Sequence, residues 1–123
     1  MKSYTDLEQS KKLAEILPLE SADMLYYCNK SNNTPISQCP FIRSFKENDV
    51  FSYLYCWSLA ALLDVLPDSI YDNTYEFSQL EFTKKSVAYM HGATDGIKIG
   101  ALKDNLVDAC YEMIIKLHEQ NVL

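Results

Sequence analysis

The chain has 123 residues, of which 48% are hydrophobic and 23% charged, and its formal net charge is −6. This composition excludes a disordered or fibrous chain, and the longest apolar stretch, around 53–66, is shorter than the roughly 20 residues that cross a bilayer. The N-terminus goes straight into charged residues without the apolar region of a signal peptide, so we expect one acidic domain over 1–123, in the cytoplasm and without membrane contact.

The first segment predicts a helix. Thr5 and Glu8 have the spacing of a capping box, in which each side chain bonds the other residue's backbone N–H. Good helix formers follow, and Pro18 ends the helix because proline cannot continue the hydrogen-bond pattern. Residues 19–24 are compatible with one more short turn. Residues 28–40 are rich in Asn, Ser and Pro and predict a flexible loop.

The segment 56–66 predicts the core helix. It is apolar nearly all round, which is typical of a helix covered on most sides. Trp57 is its expected packing anchor, Cys56 is expected to fill the core beside it, and Pro67 ends the segment. A helix of this kind belongs at the centre of the domain.

The period of the apolar residues shortens towards two between Thr74 and Leu102, which predicts a three-stranded antiparallel sheet with short turns. A change of parity at 78–79 suggests a bulge there. The last helix begins at its predicted cap, Asn105, and presents an apolar stripe formed by Leu106, Cys110, Met113, Ile114 and Leu117. The predicted fold is therefore α+β: an N-terminal helix, a core helix, a three-stranded antiparallel sheet, and a C-terminal helix packed on the sheet.

The charge is distributed unevenly. Residues 1–61 carry 6 basic and 7 acidic side chains, whereas residues 62–123 carry 5 and 10. Arg43 is the one arginine, and phosphate recognition usually relies on arginine and a basic face. We therefore expect no nucleic-acid partner. Nucleic-acid binding would become a candidate function again only if four lysines of the second half converged on one face, namely Lys84, Lys85, Lys98 and Lys103.

The sequence contains no recognisable catalytic or metal-binding motif. Its four cysteines form no Cys-x-x-Cys pair, and neither histidine has a zinc-like spacing from them, so we predict no metal and no cofactor. Cys110 is expected to fill the core. Cys39, which precedes a proline, and His91, which precedes a glycine, are the candidates for a thiol site, although no motif links them.

Aromatic residues are the more informative class. The chain has nine Tyr and five Phe, and several of them fall in the predicted strands. Tyrosine offers a large contact area at small entropy cost. The candidate partner-binding residues are Tyr71, Tyr75, Phe77 and Tyr89. The alternative is that these side chains cover the two flanking helices.

Three segments, 16–24, 56–67 and 104–119, resemble a family of small proteins of unknown function from anaerobic gut bacteria, often encoded near phage or mobile elements. The resemblance covers most of the chain and implies no activity. It favours an accessory protein of a mobile element over a metabolic enzyme.

We therefore expect a non-enzymatic cytoplasmic protein that acts by binding another protein or by self-association. The alternative is a small-molecule-binding protein or thiol-dependent enzyme that uses the region of Cys39 and His91.

Overall fold

The computed structural model describes residues 2–43, 51–71, 77–90 and 97–123. Within these ranges the chain forms three α-helices, one 3₁₀ turn (Leu19–Ser21) and seven strands. The elements are α1 (Leu7–Ile16), β1 (Met24–Cys28), β2 (Phe41–Ile42), β3 (Ser52–Cys56), α2 (Leu59–Val65), β4 (Ser69–Tyr71), β5 (Phe77–Phe82), β6 (Ser86–Met90), β7 (Ile97–Leu102) and α3 (Leu106–Glu119). The strands form two antiparallel sheets, in the orders β2–β1–β3 and β4–β5–β6–β7. The predicted α+β class is confirmed.

The first helix is capped one residue later than predicted. Asp6 is the N-cap: its carboxylate accepts a hydrogen bond from the Gln9 backbone N–H, and the Gln9 side chain accepts one from the Asp6 N–H. Thr5 is fully buried instead, and its hydroxyl contacts Ser10 and the backbone N–H of Trp57. The capping box is therefore real, but its members are Asp6 and Gln9 because Thr5 serves the core.

The first sheet is the main difference from the sequence prediction. Its strands β1 and β3 pair over their whole length, from Met24 with Cys56 to Cys28 with Ser52. Cys56 therefore ends a strand, and the core helix that was predicted to begin there begins at Leu59. Aromatic residues alternate in β3 and favour extended backbone. The Ser58 hydroxyl accepts from the Ala61 N–H at 3.2 Å and caps α2.

The second sheet has four strands rather than three, because β4 pairs with β5 and extends the predicted meander. Residues 83–85 form one of the predicted short turns, between β5 and β6. The register is continuous at 78–79, and the irregularity lies instead between Tyr89 and Met90. At the β7 edge, the Lys116 ammonium of α3 donates to the Gly100 carbonyl at 2.6 Å.

The last helix matches its prediction. Asn105 caps α3 by accepting from the Asp108 N–H at 2.9 Å, and the helix packs against β6, β7 and α2. The apolar stripe of α3 packs into the hydrophobic core. The fully buried residues of this core include Leu13, Trp57, Leu62, Tyr89, Val107, Ala109, Cys110, Met113, Ile114 and Leu117. The central position predicted for Trp57 is therefore confirmed, although Trp57 precedes α2.

The predicted loop 28–40 begins with the last residue of β1. Its first half is a hydrogen-bonded turn, in which Asn29 N–H donates to Thr34 O at 2.8 Å and Asn33 N–H donates to Asn29 O at 2.7 Å. Asn33 has a positive φ of 56°, which asparagine tolerates well. The flexibility of this loop stays a prediction.

Candidate protein-binding surface

Of the four aromatic residues predicted to bind a partner, Tyr89 has a described side chain. Tyr89 is fully buried, and its hydroxyl donates to the Pro67 carbonyl at 2.7 Å. Burial raises the pKa of Tyr89, so its phenol stays neutral. Tyr71 pairs with Phe77 between β4 and β5. The structure describes the backbone of these two residues and not their side chains. Tyr75 lies outside the described residues. Tyr89 therefore packs the core, as the alternative interpretation allowed.

A different group of aromatic residues lies together on the first sheet. We call it the Tyr27 cluster, and it consists of Tyr27, Phe41, Phe51 and Tyr53. The Tyr27 ring is the centre, with the ring centroids of Phe41, Phe51 and Tyr53 at 5.3, 5.5 and 5.6 Å. These distances and the tilted ring planes are typical of favourable aromatic pairs.

The strand register explains why these rings meet. Tyr27 pairs with Tyr53 across β1 and β3, and Leu25 pairs with Phe41 across β1 and β2. Residues two apart on a strand share a face, so these side chains project from one face of the sheet. On the other face Tyr26 is buried, and its hydroxyl donates to the Thr5 carbonyl at 3.1 Å. Tyr26 is therefore packed on its face of the sheet, whereas the other face carries the aromatic rings, although Leu25 on that face is also buried.

The Tyr27 cluster is partly open to solvent. Phe41 keeps 51% of its surface exposed, and the other three rings are half-buried. Ile36, which is 57% exposed, lies next to it, since its N–H donates to the Tyr27 carbonyl at 2.9 Å. Exposed apolar groups of this size grouped together are a common mark of an interaction site.

The one arginine lies near this surface. The Arg43 guanidinium stands 4.5 Å from the centroid of the Tyr55 ring, within the range of a cation–π interaction. It also donates to the carbonyls of Leu19 and Ala22, at 2.8 and 3.4 Å. Because Tyr55 pairs with Leu25, this cation lies on the same face as the Tyr27 cluster. The surface thus combines aromatic rings with a fixed positive charge.

The second candidate is a cleft at the start of the chain. It has a volume of about 640 Å³ and is lined by Lys2, Ser3, Tyr4, Asp6, Leu7, Glu8, Tyr26 and Gln38. Cys39 is exposed beside it, and its thiol raises the pKa of the Tyr4 phenol. The Lys2 ammonium is already held by Asp6 at 3.1 Å and Asp108 at 2.7 Å. His91, the other predicted member of a thiol site, lies outside the described residues.

The buried cysteines have packing roles. Cys56 and Cys110 are both fully buried, which confirms the prediction that they fill the core. Burial raises the pKa of Cys56, and it raises that of Cys110 to about 12. Both thiols therefore stay protonated near neutral pH, whereas a cysteine nucleophile must be a thiolate.

Among the described residues, no three His, Cys, Asp or Glu side chains are grouped so that they could hold a metal ion. In the same residues, no helix is long and apolar enough to cross a membrane. Comparisons with protein-family models, with curated proteins and with solved structures found no match to this chain.

Proposed function

We propose that this protein acts by binding another protein, without catalysis, and that the Tyr27 cluster is its contact surface. The observation that carries the proposal is the grouping of four aromatic rings on a partly exposed sheet face, with Phe41 51% exposed. Aromatic residues and arginine are enriched at the centres of protein interfaces. Rings already packed on one another lose little further freedom on binding, so the surface is suited to a stable contact.

The sequence supports a proposal for where this protein acts and with what kind of partner. We propose a cytoplasmic accessory protein, with a partner encoded by the same mobile element, and the resemblance of segments 16–24, 56–67 and 104–119 supports this proposal. The excess of acidic over basic residues supports a protein partner over a nucleic acid.

The test compares two neighbouring residues of β2. Phe41 belongs to the Tyr27 cluster, whereas Ile42, which is 83% exposed, is the next residue and faces the opposite side of the strand. Partners captured from the native host on the immobilised chain are purified and titrated against wild type, Phe41→Ser and Ile42→Ser. We expect Phe41→Ser to weaken binding by about tenfold or more, and Ile42→Ser to leave it unchanged.

Equal affinity of the two variants for every purified partner would contradict the assignment of the surface. Repeated captures that recover no partner would contradict the function itself. Circular dichroism of both variants shows whether a loss of binding reflects a loss of folding.

The cleft beside Cys39 supports a second candidate, a small-molecule-binding protein or thiol-dependent enzyme. Its test is the rate of alkylation of Cys39 by iodoacetamide between pH 5 and 9, with Cys39→Ser as the blank. An activated thiol reacts quickly at the acidic end of this range, because its thiolate persists there. An alkylation rate that rises only as the pH approaches the ordinary pKa of cysteine would contradict a thiol-dependent function at Cys39.

A further inference from the structure

The second sheet ends in a tip that differs in charge from the rest of the molecule. The turn between β5 and β6 carries Lys84 and Lys85, and the Lys103 N–H donates to the Lys85 carbonyl at 3.0 Å. All three lysines are exposed, and none of them takes part in an ion pair with another described residue. Three cations that lack an ion-pair partner in the described part of the chain therefore lie at one end of a molecule whose net charge is −6.

Two large apolar side chains accompany these lysines. Phe82, the last residue of β5, is 55% exposed, and Leu102, the last residue of β7, is 76% exposed. Phe82 pairs with Val87 and Leu102 pairs with Ser86, so both lie at the same end of the sheet. We call this group the Lys84 tip: Phe82, Lys84, Lys85, Leu102 and Lys103.

The register gives the tip a defined geometry. Ser86 and Val87 are consecutive on β6, so the side chains paired with them lie on opposite faces of the sheet. Phe82 and Leu102 thus stand on opposite faces at the end of the sheet, with their backbones two strand spacings or about 10 Å apart. Because the two side chains diverge, a partner chain has to pass over the end of the sheet to contact both, and its two contacts lie at least three extended residues apart, at about 3.3 Å each.

From this geometry we propose that the Lys84 tip binds an acidic segment of a protein partner, in which two apolar residues flank two or more acidic ones. The apolar residues would cover Phe82 and Leu102, and the carboxylates between them would meet the lysines. The proposal rests on the proposed function, since it assigns the molecule a protein partner, but it uses a surface separate from the Tyr27 cluster.

The composition of the tip favours this partner over a phosphate polymer or an anionic lipid surface. Glu81 and Asp104 are exposed at its margins, so its excess of positive charge is small. An extended polyanion is bound through many phosphate contacts, which this tip does not offer. A short segment with a few carboxylates needs only local contacts, and its apolar residues remove Phe82 and Leu102 from water.

The chain offers matched controls for both kinds of contact. Lys11 and Lys12 are also consecutive exposed lysines, and they lie on α1, where they face Glu8 and Glu15 at 3.6 and 3.7 Å. Val122 is an exposed apolar residue, at 44%, near the end of the chain. The variants K84Q/K85Q and K11Q/K12Q remove the same charge, and Leu102→Ser and Val122→Ser each remove an exposed aliphatic side chain.

The experiment selects binders of the full chain from a displayed library of random twelve-residue peptides. We expect enrichment of peptides in which apolar residues flank acidic ones. The affinity of a selected peptide should fall about fivefold to tenfold in K84Q/K85Q and in Leu102→Ser. It should stay unchanged in K11Q/K12Q, in Val122→Ser and in Phe41→Ser.

Selected peptides without acidic residues, or equal losses in the two double variants, would overturn the proposal. Binding of labelled single-stranded DNA, or of vesicles of phosphatidylserine and phosphatidylcholine, that is tighter than peptide binding and lost in K84Q/K85Q would also overturn it. Peptides that lose affinity in Phe41→Ser alone would support the Tyr27 cluster and contradict the tip, so the two proposals fail separately.

Discussion

Thr5 shows how much a single small side chain organises in this protein. Its hydroxyl lies 2.8 Å from the Ser10 hydroxyl, 3.4 Å from the Cys56 sulfur and 3.2 Å from the Trp57 nitrogen, which donates to it. Its backbone N–H donates to the Trp57 carbonyl at 2.9 Å. Thr5 therefore joins the start of α1 to the junction of β3 and α2. Sequence reasoning placed it in a cap, because nothing local shows that a threonine is buried.

We predict that Thr5→Val destabilises the protein by about 1–3 kcal/mol, because valine keeps the shape but leaves the buried Trp57 N–H without its acceptor. Urea denaturation followed by Trp57 fluorescence measures the free energy of unfolding. Thr34→Val, at an exposed position of the loop, is the control. A free energy unchanged within error in Thr5→Val would contradict the role assigned to the hydroxyl.

Asp108 gives the stability of the protein a pH dependence. Partial burial acts to raise the pKa of its carboxyl, but hydrogen bonds from Lys2, Gln9 and Asn105 outweigh it and lower the pKa below 3.8. The Lys2 and Gln9 groups donate at 2.7 and 2.8 Å, so the start of the chain is fastened to α3. Lys2 and Gln9 lie about 100 residues from Asp108 in the chain, so no local sequence pattern indicates these contacts.

A carboxyl whose pKa is lower in the folded state stabilises that state above its unfolded pKa, and the contribution is lost as pH falls through the folded pKa. We therefore predict that Asp108→Asn costs about 1–2 kcal/mol at pH 7 and much less at pH 2. Urea denaturation at several pH values measures the difference. Asp64→Asn, an exposed carboxylate on α2, is the control. A cost for Asp108→Asn that is the same at both pH values would be incompatible with this account.

The elements show where sequence patterns suffice and where they fail. The α3 helix has fourteen residues, a cap and a long apolar stripe, so its pattern identifies it. The first sheet has strands of two and five residues, too short for a clear period, and β1 meets β3 only after a connection of more than twenty residues. Its aromatic alternation, Tyr53 and Tyr55 opposite Tyr27 and Leu25, was the available signal. The Tyr27 cluster was not predicted, because the first sheet, on which it lies, was not predicted.

We predict that Asn105→Ala destabilises the protein by about 1 kcal/mol, because the Asp108 N–H loses its acceptor at the start of α3. Asn105→Ser should retain most of the stability, since serine caps helices almost as well. Thermal unfolding followed by circular dichroism compares both with Asp104→Ala at the preceding exposed residue. If Asn105→Ala and Asn105→Ser are equally destabilising, capping is not the source of the effect.

At the scale of the whole molecule, one core connects the helices with the second sheet and with Trp57. Leu13 of α1, Leu62 of α2 and Leu117 of α3 belong to it together with Val87 and Tyr89 of β6. The Trp57 indole N–H donates to the Ser21 hydroxyl at 2.9 Å, which ties the segment before β1 to the same centre. The single domain over 1–123 stays a prediction, and the number of unfolding transitions tests it.

We therefore predict one cooperative unfolding transition, with the same midpoint by Trp57 fluorescence and by far-ultraviolet circular dichroism. Leu117→Ala should lower the free energy of unfolding by about 2–5 kcal/mol, because it leaves a cavity in this core. Leu102→Ala, at a residue 76% exposed, should leave it nearly unchanged. Two separate transitions would show that the sheets unfold independently.

The contact between Lys116 and Gly100 bears on whether copies of the chain can associate through their sheet edges at high concentration. Edge strands expose backbone groups that other strands can pair with, and proteins limit this growth with short edges and lysine side chains. Here β4 has three residues and β2 has two, while the longer β7 carries the Lys116 ammonium on its Gly100 carbonyl. An incoming strand would have to displace that charge before it could extend the second sheet at β7, so this edge is protected from the strand addition that leads to filaments.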